Sequence, residues 1–216
     1  VQFIMNPFDE FYALVRAVEL KEQLGGDVTV LNVGPAPNDI VIRKALAIGA
    51  DQAVRIDKEP TSALGVAKQI AAFLENKKYD IVFFGKETID FNGSEVSAMV
   101  AEFMDMPYIS NASHLEMDGE AVLLNRDIEG GVEKIKVGMP CIVSASKGMA
   151  EQRIPNMRGI MMAKRKPLDV VPGIDTEDLI EVVSYSIPED NKEVKLIDPE
   201  NVEELVKLLS DEAKVI

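Results

Sequence analysis

The stretch YDIVFFGKETIDFNGS, Tyr79–Ser94, joins an unbroken apolar run to a glycine and a polar loop. The run Ile81–Phe84 is typical of a strand that is covered on both faces in a parallel sheet. Gly85 ends this strand, and the helical pattern Glu95–Met104 follows the loop. In open parallel sheets, ligands bind where the carboxyl end of a strand meets the start of a helix. The stretch therefore predicts an α/β fold with a ligand site at this loop.

The ligand predicted for this loop is a nucleotide phosphate. Gly93 allows a close approach of the main chain, Ser94 offers a hydroxyl group, and the helix start offers free N–H groups with a partial positive charge. The spacing matches neither the Walker A sequence nor GxGxxG. A strand, a glycine, a loop and a helix also occur as a plain connection, so the rest of the chain decides between the two interpretations.

The composition argues against several classes of function. The 216 residues are 47% apolar and 28% charged, which is typical of a globular protein with a sizeable core. The net charge of −14 argues against nucleic acid and anionic membranes as partners. No apolar run has the length of a membrane span and no targeting segment is visible. We therefore expect a cytoplasmic protein without direct membrane insertion.

The chain has one cysteine and one histidine. Cys141 lies in an apolar run, which indicates a small buried core residue rather than a nucleophile. With His114 alone, a Cys/His metal site and a histidine-based triad both lack parts, so no metal and no catalytic residue are predicted. Nucleotide hydrolysis is poorly supported as well, because its candidate base, Asp90, is better explained as a loop aspartate that caps a turn.

Strand and helix patterns alternate through the first half of the chain, which predicts a mostly parallel open sheet flanked by helices, a Rossmann-like adenine-nucleotide-binding architecture. The chain opens on a helix start, with Asn6 as N-cap, Pro7 in the first turn and Asp9 near the positive helix end. We therefore expect the usual first strand to be missing. The later predicted elements are the strand Val28–Pro35, the helix Asp39–Ile48, the strand Ala53–Ile56 and the helix Ser62–Asn76.

Two of the predicted strands end in a glycine, at Gly34 and at Gly85. Because the carboxyl ends of parallel strands meet at one edge of a sheet, we expect both loops at the same edge. This convergence favours the nucleotide interpretation over a plain connection.

The pattern changes after Tyr108 to short strands joined by turns, with hairpin signals at Asp118-Gly119 and Gly130-Gly131. This change predicts a β-meander that extends the sheet. The next segment, Lys147–Pro167, is basic and rich in methionine. It is compatible with a solvated connection or with a docking surface for an acidic partner.

Two regions are expected: a nucleotide-binding α/β domain over 1–167, which includes the meander and the docking loop, and a C-terminal extension over 168–216. The extension contains the strand-like Leu179–Ile187 and a helical pattern over Pro199–Glu212. It is expected to pack on a partner subunit, although it could also fold back on its own domain.

Segments in order along nearly the whole chain resemble the beta subunit of electron transfer flavoprotein. They are MNPFDE at Met5–Glu10, VGPAP at Val33–Pro37 with ALAIGAD at Ala45–Asp51, GKETID and NGS within Gly85–Ser94, RDIEGGVEKIKVGMPCIVSA at Arg126–Ala145, and Gly148–Pro167. The resemblance implies an electron carrier rather than an enzyme, because a flavin supplies the redox chemistry and the chain needs no acid/base pair of its own.

The resemblance also implies a heterodimer in which an alpha subunit holds most of an FAD and the beta subunit binds an AMP. Phe8 and Arg126, with Asp127, are implied to face the flavin. The implied cofactor-binding residues are Asn6, Pro7, Phe8, Asp9, Val33, Gly85, Lys86, Glu87, Thr88, Ile89, Asp90, Asn92, Gly93, Ser94 and Arg126.

The implied partners are a donor of the acyl-CoA dehydrogenase type, as in fatty acid oxidation, and a quinone-linked oxidoreductase as acceptor. Gly148–Ile154 resembles the loop that docks on the dehydrogenase, with Met149 at the family's leucine anchor and with Arg153 and Arg158 as basic docking residues. Two alternatives stay open. One is an electron-bifurcating form with a second FAD in place of AMP, although the Asn-Gly-Ser loop is more similar to the AMP type. The other is an adenine-nucleotide-binding regulatory module that resembles the universal stress proteins.

Overall fold

Helices and strands alternate through the first half of the chain, and the predicted α/β fold class is confirmed. The computed structural model describes residues 4–187 and 194–216. The helices are α1 Asp9–Leu24, α2 Asp39–Ile48, α3 Ala63–Leu74, α4 Glu95–Met104, α5 Met157–Ala163 and α6 Val202–Lys207. The strands are β1 Thr29–Val33, β2 Gln52–Asp57, β3 Ile81–Gly85, β4 Tyr108–Asp118, β5 Ala121–Ile128, β6 Gly131–Gly138, β7 Cys141–Ala145 and β8 Leu168–Pro172. A 3₁₀ turn covers Ala36–Asn38, and a π-helical turn follows α6 at Leu208–Glu212.

The strands form two open sheets. β1, β2 and β8 pair in parallel in the order β1-β2-β8. The second sheet has the order β3-β7-β4-β5-β6, in which β7 is parallel to both neighbours and β4, β5 and β6 form the predicted antiparallel meander. Since β1 and β3 belong to different sheets, the prediction that Gly34 and Gly85 lie at one edge of one sheet is wrong. The neighbour of β3 is β7, which comes from much later in the sequence.

The position of β3 also differs from the prediction. β3 is the edge strand of its sheet and all its residues are half-buried, whereas every residue of β7 is buried. β7 has helices on both faces: Cys141 and Val143 lie in a core cluster with residues of α1, and Ile142 lies in a second cluster with residues of α3 and α4. Burial of the Cys141 thiol raises its pKa to about 11. The prediction of a buried core cysteine is confirmed.

α1 forms where the sequence predicts a helix, but it begins at Asp9 instead of directly after Asn6. Asn6 accepts a hydrogen bond from the N–H of Phe8, so it makes a turn just before the helix. Ala13, Leu14, Val15 and Val18 are buried in the core. Gly25, with φ of 85°, ends the helix as predicted.

The chain after residue 167 begins with β8, which pairs with β2 in the first sheet. The structure divides into two units, Val1–Glu181 and Val182–Ile216. Residues 179–187 form no strand, so the prediction of a strand there is wrong. In the second unit, α6 and the π-helical turn cover most of the predicted terminal helix and have no buried residue. Its packing on a partner subunit stays a prediction. Among the helices within 4–187 and 194–216, none is both long enough and apolar enough to span a membrane.

Candidate functional site

The first turn of α1 lies directly against the end of β3. A Cβ atom at Gly85 would stand 2.8 Å from the backbone N of Glu10 and 2.9 Å from Glu10 Cγ. A side chain at this position would therefore collide with the main chain of α1. Gly85 permits a close contact between helix and strand as well as ending the strand.

Asn6 connects this helix start to the loop that follows β3. Its side chain is buried, at 4% exposure. Nδ2 donates to the carbonyl oxygen of Glu87 at 3.1 Å, and Oδ1 accepts from the N–H of Phe8 at 2.9 Å. The N–H of Asn6 itself donates to Oε2 of Glu10 at 2.8 Å. The structure thus brings together several residues predicted for the site, namely Asn6, Pro7, Phe8, Asp9, Gly85, Lys86 and Glu87.

The remainder of the loop closes on Thr88. The N–H of Thr88 donates to the carbonyl oxygen of Gly93 at 2.9 Å, and the N–H of Asn92 donates to the carbonyl oxygen of Thr88 at 3.0 Å. The hydroxyl of Thr88 also accepts from the N–H of Gly93 at 3.2 Å. Asp90 accepts from the next N–H, that of Phe91, at 2.8 Å. This bond agrees with the interpretation of Asp90 as a turn residue, and Ile89 is exposed in the same loop.

The start of α4 has a hydroxyl group to offer a ligand. Ser94 occupies the N-cap position, but its side chain makes no capping hydrogen bond. The first N–H groups of a helix have no partner within the helix and favour an anion. The carboxylate of Glu95 lies beside Gly93, because Oε2 would be 2.9 Å from a Cβ built there. This helix start therefore offers free N–H groups and an uncapped hydroxyl, with one carboxylate beside them.

The charges around the α1 start are mixed. Asp9 is 8% exposed, and burial raises the pKa of its carboxyl above the ordinary 3.8, with the Glu87 carboxylate acting in the same direction. The Lys86 ammonium and the backbone of Glu87 partly oppose this shift. Lys86 Nζ lies 3.3 Å from Oε1 of Glu87. The site thus combines one lysine cation with a carboxyl group whose neutral form burial favours.

Val33 lies at the end of β1, in the other sheet, and the chain's own groups bind the turn after it. The side chain of Arg55 is 5% exposed. It donates to the carbonyl oxygen of Gly34 at 2.9 Å and to Asp39 Oδ1 at 2.7 Å, and it also pairs with Asp57. Within 4–187 and 194–216, no hydrogen bond joins this turn to the loop after β3.

Arg126 lies on β5 and pairs with Glu133 on the neighbouring strand β6. Asp127 accepts from Nδ2 of Asn111 at its backbone oxygen, at 3.2 Å, and from the hydroxyl of Ser113 at Oδ1, at 3.1 Å. These contacts lie within the meander. The structure does not place Arg126 in hydrogen-bond contact with the Asn6 and Gly85 residues.

The docking residues predicted from the sequence occupy different environments. Met149 is 3% exposed and belongs to the core cluster that includes Ala13 of α1. The expectation of a surface anchor at Met149 is therefore corrected, because its side chain lies inside this chain. Arg153 binds Glu22 of α1, and Arg158 is exposed at the start of α5. In the same loop, Ile154 is 93% exposed.

Comparison with known proteins agrees with this architecture. A family model described as the electron transfer flavoprotein domain matches residues 1–175. This chain belongs to the electron transfer flavoprotein family. It is 36% identical over 229 residues to electron transfer flavoprotein subunit beta of Bacillus subtilis, with all of this chain and 89% of the relative covered. The human subunit beta is 34% identical over 198 residues, covering 87% and 77%, and that of Bradyrhizobium diazoefficiens is 34% identical over 225 residues, covering 100% and 88%.

The family membership predicted from the sequence is thereby confirmed, and the relatives' names describe an electron-transfer protein. Two contacts of this electron transfer flavoprotein chain were not predicted. Arg55 stands as a single charge within the apolar strand Ala53–Ile56, which is a sequence signal for a buried and paired arginine. Gln152 donates to the carbonyl oxygen of Pro7. No local pattern indicates that contact, because the partners are 145 residues apart.

Proposed function

We propose that this chain is the beta subunit of a heterodimeric electron transfer flavoprotein, which binds one AMP and supports an FAD held mainly by an alpha subunit. The observation that carries the proposal is the joint between α1 and β3, where Asn6 binds the loop that leads to Ser94. In this account the chain carries electrons and has no catalytic residue of its own. The proposed setting is the cytoplasm.

The start of α4 fits the phosphate of AMP. The hydroxyl of Ser94 makes no capping bond and the helix N–H groups are oriented towards the same end. Lys86, at the start of the loop that leads to Ser94, supplies a cation to the same loop. Val33 is proposed as a secondary contact. By binding only the folded state, AMP would stabilise the subunit by about 2.7 kcal/mol at a hundredfold excess over its dissociation constant.

The turn at Phe8 is suited to contact a flavin. Phe8 is 57% exposed although it is aromatic, and its backbone is fixed by Asn6 through the 2.9 Å bond to Oδ1. FAD, when bound, accepts and releases the electrons. The role of this chain is then to hold an apolar surface beneath the flavin and to exclude water from it. Arg126 and Asp127 are proposed as a second group of residues near the flavin.

The donor-docking surface is proposed to centre on Ile154, with a dehydrogenase of the acyl-CoA type as donor and a quinone-linked oxidoreductase as acceptor. Ile154 is flanked by exposed methionines and cations of α5 and the segment after it. These are Met157, Arg158, Met161, Lys164 and Arg165. An apolar anchor surrounded by positive charge suits an acidic partner surface.

Substitution of the exposed Ile154 and of the buried Met149 distinguishes an effect on docking from an effect on folding. Ile154→Ala is expected to raise the KM for the reduced dehydrogenase about tenfold, because an apolar interface anchor contributes 1–2 kcal/mol or more, and to leave flavin content and Tm unchanged. Met149→Ala is expected to lower Tm, since a buried methionine is removed from the core. A raised KM with normal Tm in Met149→Ala alone would return the anchor to Met149. The measurements are steady-state kinetics and thermal unfolding of the heterodimer.

The cofactor proposal is tested by co-expressing the full-length chain with its alpha subunit and counting the nucleotides released from the purified complex. About one FAD and one AMP per heterodimer are expected from this assignment. Two FAD and no AMP would identify the electron-bifurcating form. ATP without flavin and without a stable alpha partner would favour the regulatory module.

A further inference from the structure

The docking loop Gly148–Ile154 is fastened to α1 along its length. Its buried residue, Met149, lies in the same core cluster as Ala13 and Leu20 of α1. Arg153 binds both carboxylate oxygens of Glu22 at 2.8 Å. The loop is therefore attached to α1 both by core packing and by an ion pair.

Gln152 fastens the same loop to the start of α1. Its Nε2 donates to the carbonyl oxygen of Pro7, which immediately precedes Phe8. The backbone of Phe8 is already held on both sides, because its N–H donates to Asn6 Oδ1 and its carbonyl oxygen accepts from the N–H of Tyr12, each at 2.9 Å. Gln152 adds a contact from the docking loop to this turn.

The hydrogen bond between Gln152 and Pro7 thereby connects the segments that carry two exposed side chains, Ile154 and Phe8. Ile154 stands two residues after Gln152 and Phe8 stands one residue after Pro7. Neither exposed residue makes the contact itself. This contact therefore joins the backbone segments that carry Phe8 and Ile154, and both side chains remain exposed.

We propose that Gln152 is a positioning residue for electron transfer, which holds the donor-docking loop in register with the Phe8 turn. The inference rests on the proposed function, in which Ile154 meets the donor and Phe8 faces the flavin. A donor seated on Ile154 is then held at a set position relative to the flavin surface. Loss of the contact changes the geometry of the bound complex but removes no group that binds the donor.

The test uses the holo heterodimer and a purified acyl-CoA dehydrogenase reduced with its substrate. Gln152→Met keeps the length of the side chain and removes the donor. Gln23→Met is the matched control, since Gln23 is exposed on α1 and its side chain makes no hydrogen bond within 4–187 and 194–216. Gln152→Lys restores a donor at the same position. FAD content, Tm, KM for the dehydrogenase and kcat are measured for each variant.

The expected result for Gln152→Met is a fall in kcat of about tenfold with KM within twofold, because misplacement of reacting groups lowers the rate more than the affinity. FAD content and Tm remain at wild-type values, Gln23→Met behaves as wild type, and Gln152→Lys recovers most of kcat. An unchanged kcat, a rise in KM alone, or loss of FAD would overturn the proposal. A wild-type complex that holds no flavin, or that the dehydrogenase does not reduce, would instead overturn the proposed function.

Discussion

The ends of β1 and β3 share a glycine, but their surroundings differ. At Gly34 the carbonyl oxygen is bound by Arg55, whose guanidinium also pairs with two carboxylates. At Gly85 the first turn of α1 lies against the strand, and Ser94, at the end of the loop that follows, makes no capping bond. At the first end the Gly34 carbonyl is already bound within the chain, although Asn38 Oδ1 in the same turn is buried without a partner among the described residues; at the second end the Ser94 hydroxyl makes no capping bond. A glycine after a strand does not by itself specify a ligand site, because the bonding of its neighbours decides.

Gly85→Ala is expected to have the largest effect, since the new methyl group would meet the backbone of Glu10 at 2.8 Å. A clash with main-chain atoms cannot be relieved by a rotamer change, so we expect a loss of about 3 kcal/mol of stability together with loss of bound AMP. Thermal unfolding and nucleotide content of the heterodimer are the measurements. Gly138→Ala is the control, because a Cβ there has no neighbour within 4 Å. Equal Tm values for the two variants would show that α1 does not pack closely against Gly85.

Arg55→Met tests the other end. Its removal leaves the carbonyl oxygen of Gly34 and the carboxylates of Asp39 and Asp57 without their donor. We expect the free energy of unfolding to fall by about 2 kcal/mol. This is less than for a fully buried ion pair, because both carboxylates reach solvent. AMP affinity should fall less than in Ser94→Ala. Lys44→Met, at an exposed position of α2, is the control for charge. A fall in AMP affinity that is larger in Arg55→Met than in Ser94→Ala would place the main nucleotide site at the Val33 turn.

Ser94→Ala is expected to weaken AMP binding about fivefold, which corresponds to the loss of one hydrogen bond of about 1 kcal/mol. Tm without nucleotide should not change, because the hydroxyl makes no capping bond. Titration calorimetry of AMP into nucleotide-free heterodimer measures the effect. Ser184→Ala, at an exposed position of the second unit, provides a matched control. Wild-type affinity in Ser94→Ala would remove Ser94 from the site.

The smallest expected effect concerns Asp9. Burial raises the pKa of its carboxyl in the folded chain above 3.8, so the folded state binds the proton more tightly than the unfolded state. The contribution of Asp9 to stability is therefore present at low pH and is lost as pH rises from about 3.8 through the raised pKa. Asp9→Asn should lack this decline when Tm is compared with wild type from pH 4 to 7. Parallel Tm curves would show that the pKa of Asp9 is not raised.

The sequence predicted single elements better than their neighbours. The bounds of α2 and α4 match the prediction, because each has a regular apolar face and a clear stop, Gly49 after α2 and Asp105 in the left-handed region after α4. The pairing of the strands could not be predicted, because the residue pattern of a strand does not indicate which other strand it pairs with. β7 follows the meander in sequence but is inserted between β3 and β4.

The roles of the site residues stay a prediction. The family resemblance assigned Asn6, Phe8 and the Gly85 loop to one site, and the structure brings these residues together. The burial of Met149 depends on its packing in a cluster with residues of α1, which no nearby residue indicates. Ile154, between a basic residue and Pro155, carries no periodic signal of exposure.

A structure of the heterodimer with AMP tests the central claim most directly. We expect a phosphate at the start of α4, within hydrogen-bond distance of the Ser94 hydroxyl and of the first N–H groups of the helix. A phosphate bound at the Gly34 turn, with Ser94 free, would contradict it.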